Sequence, residues 1–458
     1  MHERFEQKIG MRFSAIQIIV FYYLILTLVA FVLFYIPFFR NEEKQVDMID
    51  MFFMAVSTTS VTGLSTFNIY RVFNERGIVL LEILFQVGGL GIMMISTFFA
   101  ILSRRKISLR QRQLIMIDMN QPKLSGIVRL IKRTMLLLLA VQLVFGFIFG
   151  LYFQHIRRAT SFGMNMFWGL YESVSAVTNS GFDVTGTSLI PFANHESFLL
   201  AIMFLIFIGG IGFPVLLETT EYLFICGNRT KRRAFRFSLF SKLAIMTFLG
   251  LFVIGAILIF IFERNHLYQG KTLGQSIINA MFYSITTRNA GMEITPIAYF
   301  QPNTLLVLSL LMFIGASPSS VGGGIRTTTA IIVFLYMVSF IKGEENVNIF
   351  GRQIDGKDVR KSVVVMYLSM LFCFVACLIL MATQDFSMIS IVVEVASAFG
   401  TTGLSMGITS QMDTIGKITL MILMFVGRVG TLYMLMLFVP KQTKDIGFSY
   451  PSEQIIIG

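Results

Sequence analysis

A chain of 458 residues that is 55% hydrophobic and only 14% charged, with a mean hydropathy of +0.75, is not a soluble globular protein; such proteins carry about a quarter of their residues as charges. The net charge of +12 would suit a nucleic-acid partner, but so apolar a chain points to a polytopic membrane protein whose basic residues set its orientation, with no nucleic acid expected. Cys226, Cys373 and Cys377 have no zinc or disulfide spacing and His2, His155, His195 and His266 are scattered, so no metal centre is expected; no nucleophile–base pair suggests an enzyme.

Apolar stretches long enough to cross a bilayer fall at about 14–38, 78–102, 134–153, 197–226, 240–262, 303–341, 362–382 and 416–440, which predicts eight spans. The first begins after Arg12 and lacks a small-residue cleavage site, so it reads as a span and not a removed signal. The stretch 303–341 is too long for one simple helix and contains prolines and glycines, so it is expected to be broken. With the N-terminus inside and sides alternating, segments 1–13, 103–133, 227–242, 342–361 and 441–458 hold 25 of the 37 Lys and Arg residues. The outside segments hold 9, and Arg288, Arg326 and Arg428 remain within membrane segments. This asymmetry predicts cytoplasmic N- and C-termini.

Between successive spans, short helices are predicted at about 48–59, 165–177, 274–286 and 388–399. They cannot cross the bilayer and are re-entrant candidates. Each is followed by a small, polar glycine segment: "STTSVTGLS" with Gly63, "AVTNSGFD" with Gly181, "TTRNAGME" with Gly291 and "FGTTGLSM" with Gly403. These glycines are 118, 110 and 112 residues apart. A second signature follows each after 25, 28, 24 and 24 residues: "FQVGGLG" (Gly88), "FIGGIG" (Gly209), "FIGASP" (Gly315) and "FVGRVG" (Gly427). Two motifs repeated four times define the organisation. Repeats 1 to 4 occupy 1–105, 106–227, 228–345 and 346–440, with a C-terminal tail at 441–458.

Irregular backbone at membrane depth survives only inside protein or lining water. Four such segments meeting on one axis make a single-chain pore. The expected fold is an all-α polytopic membrane protein of four parallel span–pore-loop–span repeats around one pseudo-fourfold pore. Glycine permits the backbone that turns carbonyls toward an ion. The candidate filter is Val61, Thr62 and Gly63; Asn179, Ser180 and Gly181; Asn289, Ala290 and Gly291; and Thr401, Thr402 and Gly403. Helix C-termini aimed at the axis favour a cation, so backbone carbonyls alone hold the ion and no other metal is expected. For the double-glycine second signatures, close helix packing is an equally weighted alternative to a role in the pore.

Two residues past each glycine lie Ser65, Asp183, Glu293 and Ser405. The acids among them would concentrate cations at an outer mouth, or would be ordinary loop acids. Nine residues before each lie Met54, Glu172, Phe282 and Glu394. Arg288, within the third segment, would be costly if buried unpaired. Glu172 or Glu394 is expected to pair with it as filter support; the alternative is that these acids hydrate or cap their own helices. "GASPSSVGGGIRT" breaks any helix and is expected to line a cavity and to switch between blocking and open arrangements. It is not a phosphate-binding loop, because no Gly-Lys-Ser/Thr follows. Arg428 aligns with Gly89, Gly210 and Ala316, toward the middle of its span, where it would repel cations or hold that loop by hydrogen bonds.

These motifs resemble the Trk/Ktr/HKT superfamily of potassium transporters over nearly the entire chain. Eight spans look most like KtrB, the membrane subunit of bacterial Ktr systems. The resemblance implies filter glycines at Gly63, Gly181, Gly291 and Gly403. All four being glycine favours potassium, since serine in the first position accompanies sodium transport in plant relatives. It implies an intramembrane gate over Gly315, Ala316, Ser317, Pro318, Ser319, Ser320, Val321, Gly322, Gly323 and Gly324, with Arg428 beside it. Ser319 and Val321 depart mildly from the family pattern. It also implies a homodimer in the bacterial plasma membrane and a cytosolic RCK-type nucleotide-binding ring, KtrA-like. This chain has no dinucleotide-binding glycine motif, so a nucleotide belongs to that partner and no cofactor to this chain, with potassium as cargo and sodium as a candidate activator. The segments "RRKISLRQRQ" and "NRTKRRAFRF" are candidate contacts for the ring, and Tyr450–Gly458 for the dimer interface. The expected function is potassium uptake through a gated carbonyl filter. The alternative is an alternating-access potassium symporter coupled to sodium or protons.

Overall fold

In a computed structural model of the chain, residues 15–41, 46–103, 107–118, 126–156, 160–183, 186–227, 235–431 and 433–434 are described. The helices in the first half are α1 (Ala15–Tyr35), α2 (Met48–Ser60), α3 (Ile69–Val72), α4 (Glu75–Leu90), α5 (Ile92–Leu102), α6 (Leu109–Asp118), α7 (Ile127–Ile156), α8 (Phe162–Thr178), α9 (Glu196–Gly210) and α10 (Phe213–Gly227). The second half contains α11 (Leu239–Glu263), α12 (Leu273–Thr286), α13 (Pro302–Phe313), α14 (Thr327–Ile341), α15 (Gly356–Thr383), α16 (Met388–Gly400) and α17 (Thr414–Val429). One two-stranded hairpin, β1 (Asn348–Ile349) and β2 (Arg352–Gln353), departs from the all-α expectation. Its turn residues Phe350 and Gly351 both have positive φ, the backbone a tight two-residue hairpin needs.

The helices α1, α7, α11 and α15 are each long and apolar enough to cross a membrane. Their outward faces leave Ile25, Leu143, Ile257 and Phe374 more than half exposed. A soluble protein does not display such continuous apolar faces; here they suit lipid. The chain is a multi-pass membrane protein.

The expected spans at 78–102 and 197–226 are each a bent pair of helices and not one straight helix. α4 and α5 meet at 101° and α9 and α10 at 110°. The bends fall at Gly91 (φ 85°) and Gly212 (φ 99°), a backbone that side chains with a Cβ rarely adopt. α17 ends in the same way, at Gly430 with φ 102°. In each of these repeats the turning glycine lies three residues after the second-signature glycine. The third repeat has Pro318 at that place, and α13 and α14 are separated by the irregular segment 314–326, the break expected in 303–341. The final expected span, 416–440, runs from α17 beyond the described residues.

The four short helices stand within a few residues of their expected limits. Ser161, Thr272 and Ser387 cap three of them by accepting the N–H three residues on, and Thr272 and Gln275 form a reciprocal capping box. α8 therefore starts at Phe162, earlier than apolar pattern alone suggests. Each short helix packs against its own flanking helices and against one helix of a neighbour. α8 meets α4, α12 meets α9, α16 meets α13, and α2 meets α17. The order closes on itself, so each of the four sequence repeats touches the next. α7 and α8 also pack closely, with Gly146 and Gly150 lying against Gly169 and leaving no room for a Cβ.

Candidate ion-conducting site

The short helices end in one local pattern. In three of them the first residue past the helix, Val61, Asn179 or Thr401, is left-handed with φ between 50° and 58°. The next N–H turns back onto the helix: Thr62 N to Ser57 O at 2.8 Å, Ser180 N to Ser175 O at 3.0 Å, and Thr402 N to Ser397 O at 2.8 Å. This closure normally takes glycine at the left-handed position. Valine and threonine there carry a conformational cost of about 1–2 kcal/mol each. In the third repeat the turn is longer: α12 stops at Thr286, and Asn289 is the left-handed residue, with φ 77°. In every repeat, then, a left-handed residue stands two places before the candidate filter glycine. Those glycines, Gly63, Gly181, Gly291 and Gly403, all have positive φ themselves.

The glycines form a closed cycle of approaches. A Cβ on Gly63 would lie less than 3.0 Å from Ser180 O, one on Gly181 from Ala290 O, one on Gly291 from Thr402 O, and one on Gly403 from Thr62 O. Each segment thus lays its glycine against the backbone oxygen of the next, and the fourth returns to the first. In repeats two, three and four, hydroxyls of the last helical turns tie the loop to its helix. Ser175 Oγ donates to Phe182 O at 2.6 Å, Thr286 Oγ1 donates to Met292 O at 2.8 Å, and Gly403 N donates to Ser397 Oγ at 3.0 Å.

The second-signature glycines are packing surfaces behind these loops. A Cβ on Gly88, Gly209 or Gly427 would overlap the carbonyl of Thr59, Val177 or Phe399, which is in each case two residues before the left-handed residue. Gly315 breaks the pattern, facing Gly323 O of the irregular segment instead.

That segment is stitched to several repeats. Ser317 N donates to Gly210 O (3.0 Å), Val321 N to Gly209 O (3.3 Å), Phe213 N to Ser319 O (2.7 Å) and Gly324 N to Gly427 O (3.2 Å). Gly323 N donates to Thr401 Oγ1 at 3.0 Å. Arg428 donates to Val321 O and Gly88 O, and to Gly89 O at 2.7 Å. It is 8% exposed and does not snorkel toward a membrane surface. Arg326, which sequence reading left without a role, donates to Gly322 O. Ser319 is left-handed, with φ 56°, which accounts for a small residue at that position.

The expected partner of Arg288 is corrected. Fully buried, its Nη1 donates to Ile314 O at 2.6 Å and to Leu311 O at 3.4 Å. These carbonyls lie at the C-terminal end of α13, and a helix end carries partial negative charge that suits a cation as a carboxylate would. Nε and Nη2 have no hydrogen-bond partner among the described residues, so Arg288 is hydrogen-bonded to neither acid. Glu172 is buried on α8. Glu394, buried on α16, accepts from Ser405 Oγ, from Thr409 Oγ1 at 2.9 Å and from Met406 N at 3.1 Å. It clamps the strand of chain that leaves Gly403. Of the acids past the glycines, Glu293 is half-buried and tied through its backbone to Ser188 and Leu189, with N to Ser188 Oγ at 2.8 Å and O from Leu189 N at 2.9 Å. Asp183 is also half-buried. An ion pair that sequence reading missed, Lys417 Nζ to Asp50 Oδ1 at 2.6 Å, joins α17 to α2. The tail Tyr450–Gly458 and parts of both basic segments lie outside the described residues.

Four helix ends closing a ring of carbonyls, inside a shell of lipid-facing helices and underlaid by an irregular loop, have the build of a membrane transport protein. Residues 38–448 match the family of TrkH cation transport proteins, and the chain belongs to that family; the family transports cations and is not a family of enzymes. The chain is 41% identical to the Ktr system potassium uptake protein D of Bacillus subtilis (strain 168), over 97% of each chain. It is 30% identical to the Ktr system potassium uptake protein B of the same organism, over 98% of this chain and 97% of that one. It is 31% identical to the potassium/sodium uptake protein NtpJ of Enterococcus hirae, over 99% of each. The crystal structure of the potassium transporter TrkH from Vibrio parahaemolyticus shares the fold, with a TM-score of 0.74 at 18% identity over 94% of this chain and 86% of that one.

Proposed function

We propose that this chain takes up potassium across the bacterial plasma membrane through a filter of backbone carbonyls from residues 61–63, 179–181, 289–291 and 401–403. The four repeats surround one pseudo-fourfold pore, and Gly315–Gly324, with Arg428, forms a gate on the inner side. The observation that carries the reading is the closed cycle of glycine-to-carbonyl approaches, because only segments gathered around one axis make it. Carbonyls so gathered replace an ion's hydration shell, and the C-terminal ends of α2, α8, α12 and α16 add negative potential there. Potassium as the cargo follows the names of the 41% and 30% identical relatives. An alternating-access symporter would usually be built from inverted repeats, whereas the four repeats here are read as parallel and end in filter-like loops.

Both termini are cytoplasmic in this proposal, following the placement of Lys and Arg. The chain works as a homodimer with a separate cytosolic nucleotide-binding ring, in keeping with relatives named as proteins of a Ktr system. It binds no cofactor itself, and sodium is an activator. Uptake in cells lacking their own potassium uptake, comparing wild type with Gly63→Ser, tests the filter. Wild type is expected to restore growth on low potassium, and the variant to reach the membrane but lose its preference for potassium over sodium. A variant that discriminates as wild type does would overturn the filter.

A further inference from the structure

We propose that Thr401 and Asn289 are positioning residues that couple the intramembrane loop to the filter, so that the position of the loop sets cation preference as well as flow. The proposal rests on the filter-and-gate reading above and adds that the two parts are not independent.

The loop centre, Val321 to Gly323, is held from two sides. Arg428 and Arg326 bind the carbonyls of Val321 and Gly322. On the filter side, the N–H of Gly323 donates to Thr401 Oγ1 at 3.0 Å. The same hydroxyl oxygen accepts from Asn289 Nδ2 at 3.2 Å, and Nδ2 also donates to Gly400 O. Asn289 Oδ1 lies against Gly322, where a Cβ would have no room, and has no hydrogen-bond partner among the described residues. One loop N–H, one hydroxyl and one carboxamide therefore form a continuous polar chain from the gate into the third and fourth filter segments.

The backbone on the filter side is poised to respond. Thr401 and Asn289 are left-handed, with φ of 50° and 77°, and threonine rarely adopts that conformation. Each is two residues before a filter glycine, and the carbonyl of Thr402, the neighbour of Thr401, is the one that faces Gly291. Backbone held in a sparsely populated conformation persists only while its surroundings over-determine it. When the loop moves, Gly323 leaves Thr401 and Gly322 leaves Asn289, and two of the four filter segments lose a restraint. The other two do not report on the loop in this way. Val61 has no polar atom to offer, and Asn179 donates to Arg288 O at 3.4 Å and packs against Gly209 and Gly210 of α9. The coupling is lopsided, running through repeats three and four only.

The test uses the full chain in proteoliposomes, with potassium and sodium flux measured for wild type and four variants: Thr401→Val, Thr401→Ser, a deletion of Gly322–Gly324, and that deletion combined with Thr401→Val. Valine keeps the branched shape and removes the acceptor; serine keeps the acceptor. Thr401→Val removes the acceptor of two hydrogen bonds, one from Gly323 N of the loop and one from Asn289 Nδ2, which keeps its bond to Gly400 O; losing the loop restraint predicts a roughly fivefold fall in potassium-over-sodium discrimination, together with higher basal flux. Thr401→Ser should discriminate as wild type does. In the loop-deleted protein, where only the bond from Asn289 remains to be lost, Thr401→Val should change discrimination clearly less than in the intact chain. A change in flux with discrimination intact would overturn the proposal, as would an equal loss of discrimination in both backgrounds. If Thr401→Val fails to reach the membrane, Asn289→Ala is read by the same criteria. The filter-and-gate reading fails separately, when the loop deletion leaves flux unchanged and Gly63→Ser leaves discrimination unchanged.

Discussion

Repeats one, two and four treat the same motif alike, and repeat three does not. In the first group the second-signature glycine seats a helix directly on the backbone of the short helix beside it. Gly88 lies on Thr59, Gly209 on Val177 and Gly427 on Phe399. A glycine three residues later turns the chain. In repeat three the corresponding glycine, Gly315, lies on Gly323 of an irregular segment, and Pro318 stands where the turning glycine would be. The same template thus yields three fixed walls and one wall with a loop inserted into it.

Alanine substitutions sharpen that contrast most. In Gly209→Ala and Gly427→Ala the new methyl meets a carbonyl inside a helix, which cannot move aside. Overpacking of this kind costs about 1–3 kcal/mol, and both variants should unfold at clearly lower temperature in detergent than wild type. In Gly315→Ala the methyl meets a loop carbonyl, which can shift. We expect a smaller loss of stability there and a change in ion flux instead. Equal melting losses for all three variants would erase the distinction between the three helix-packed walls and the loop.

The next effect concerns Arg288, which repeat three alone possesses. Its Nη1 closes the C-terminal end of α13, immediately before the loop, while two of its nitrogens stay buried without hydrogen bonds. The lost helix-end contact and the relieved burial of charge have opposite signs. Arg288→Met should therefore change stability by less than about 1 kcal/mol while loosening the start of the loop and raising basal flux. A variant that unfolds readily without any rise in flux would make Arg288 a structural group and nothing more.

Much of this was legible in the residues, and the exceptions share a cause. The short helices announce themselves by apolar pattern, whereas the hydroxyl caps that set their starts, Ser161 and Thr272 among them, were not read and α8 was placed three residues late. The glycine spacing exposes the repeats. The bends at Gly91 and Gly212 were hidden because Leu90, Ile92, Ile211 and Phe213 keep the hydropathy high straight through the turn. The partner of Arg288 was misread because a helix end neutralises a guanidinium as a carboxylate does, and no local signal shows which one faces it. The links from Asn289 to Gly400 and from Thr401 to Gly323 join segments far apart in the chain, so only the closed ring brings them into contact.

The most local effect tests that closure at the seam between the last repeat and the first. Asp50 in the first turn of α2 and Lys417 in the first turn of α17 are 2.6 Å apart, with side chains 16% and 10% exposed. A fully buried pair would lose 3–5 kcal/mol on removal of one partner. Here, however, Asp50 also borders a cavity of about 430 Å3 shared with Asp47, Asn68 and Arg71, open enough for water to solvate an unpaired carboxylate. The coupling should accordingly be near 1 kcal/mol, above that of most surface pairs and well below the buried limit. A double-mutant cycle of Asp50→Asn and Lys417→Met, read from unfolding midpoints in detergent, measures it. Each single variant should be less stable than the double would suggest by simple addition, with the interaction only weakly reduced by salt because the pair is mostly shielded. Strict additivity would mean that the seam is held by helix packing alone, with α2 seated on α17 as firmly as α8 is seated on α4, where no ion pair is found among the described residues.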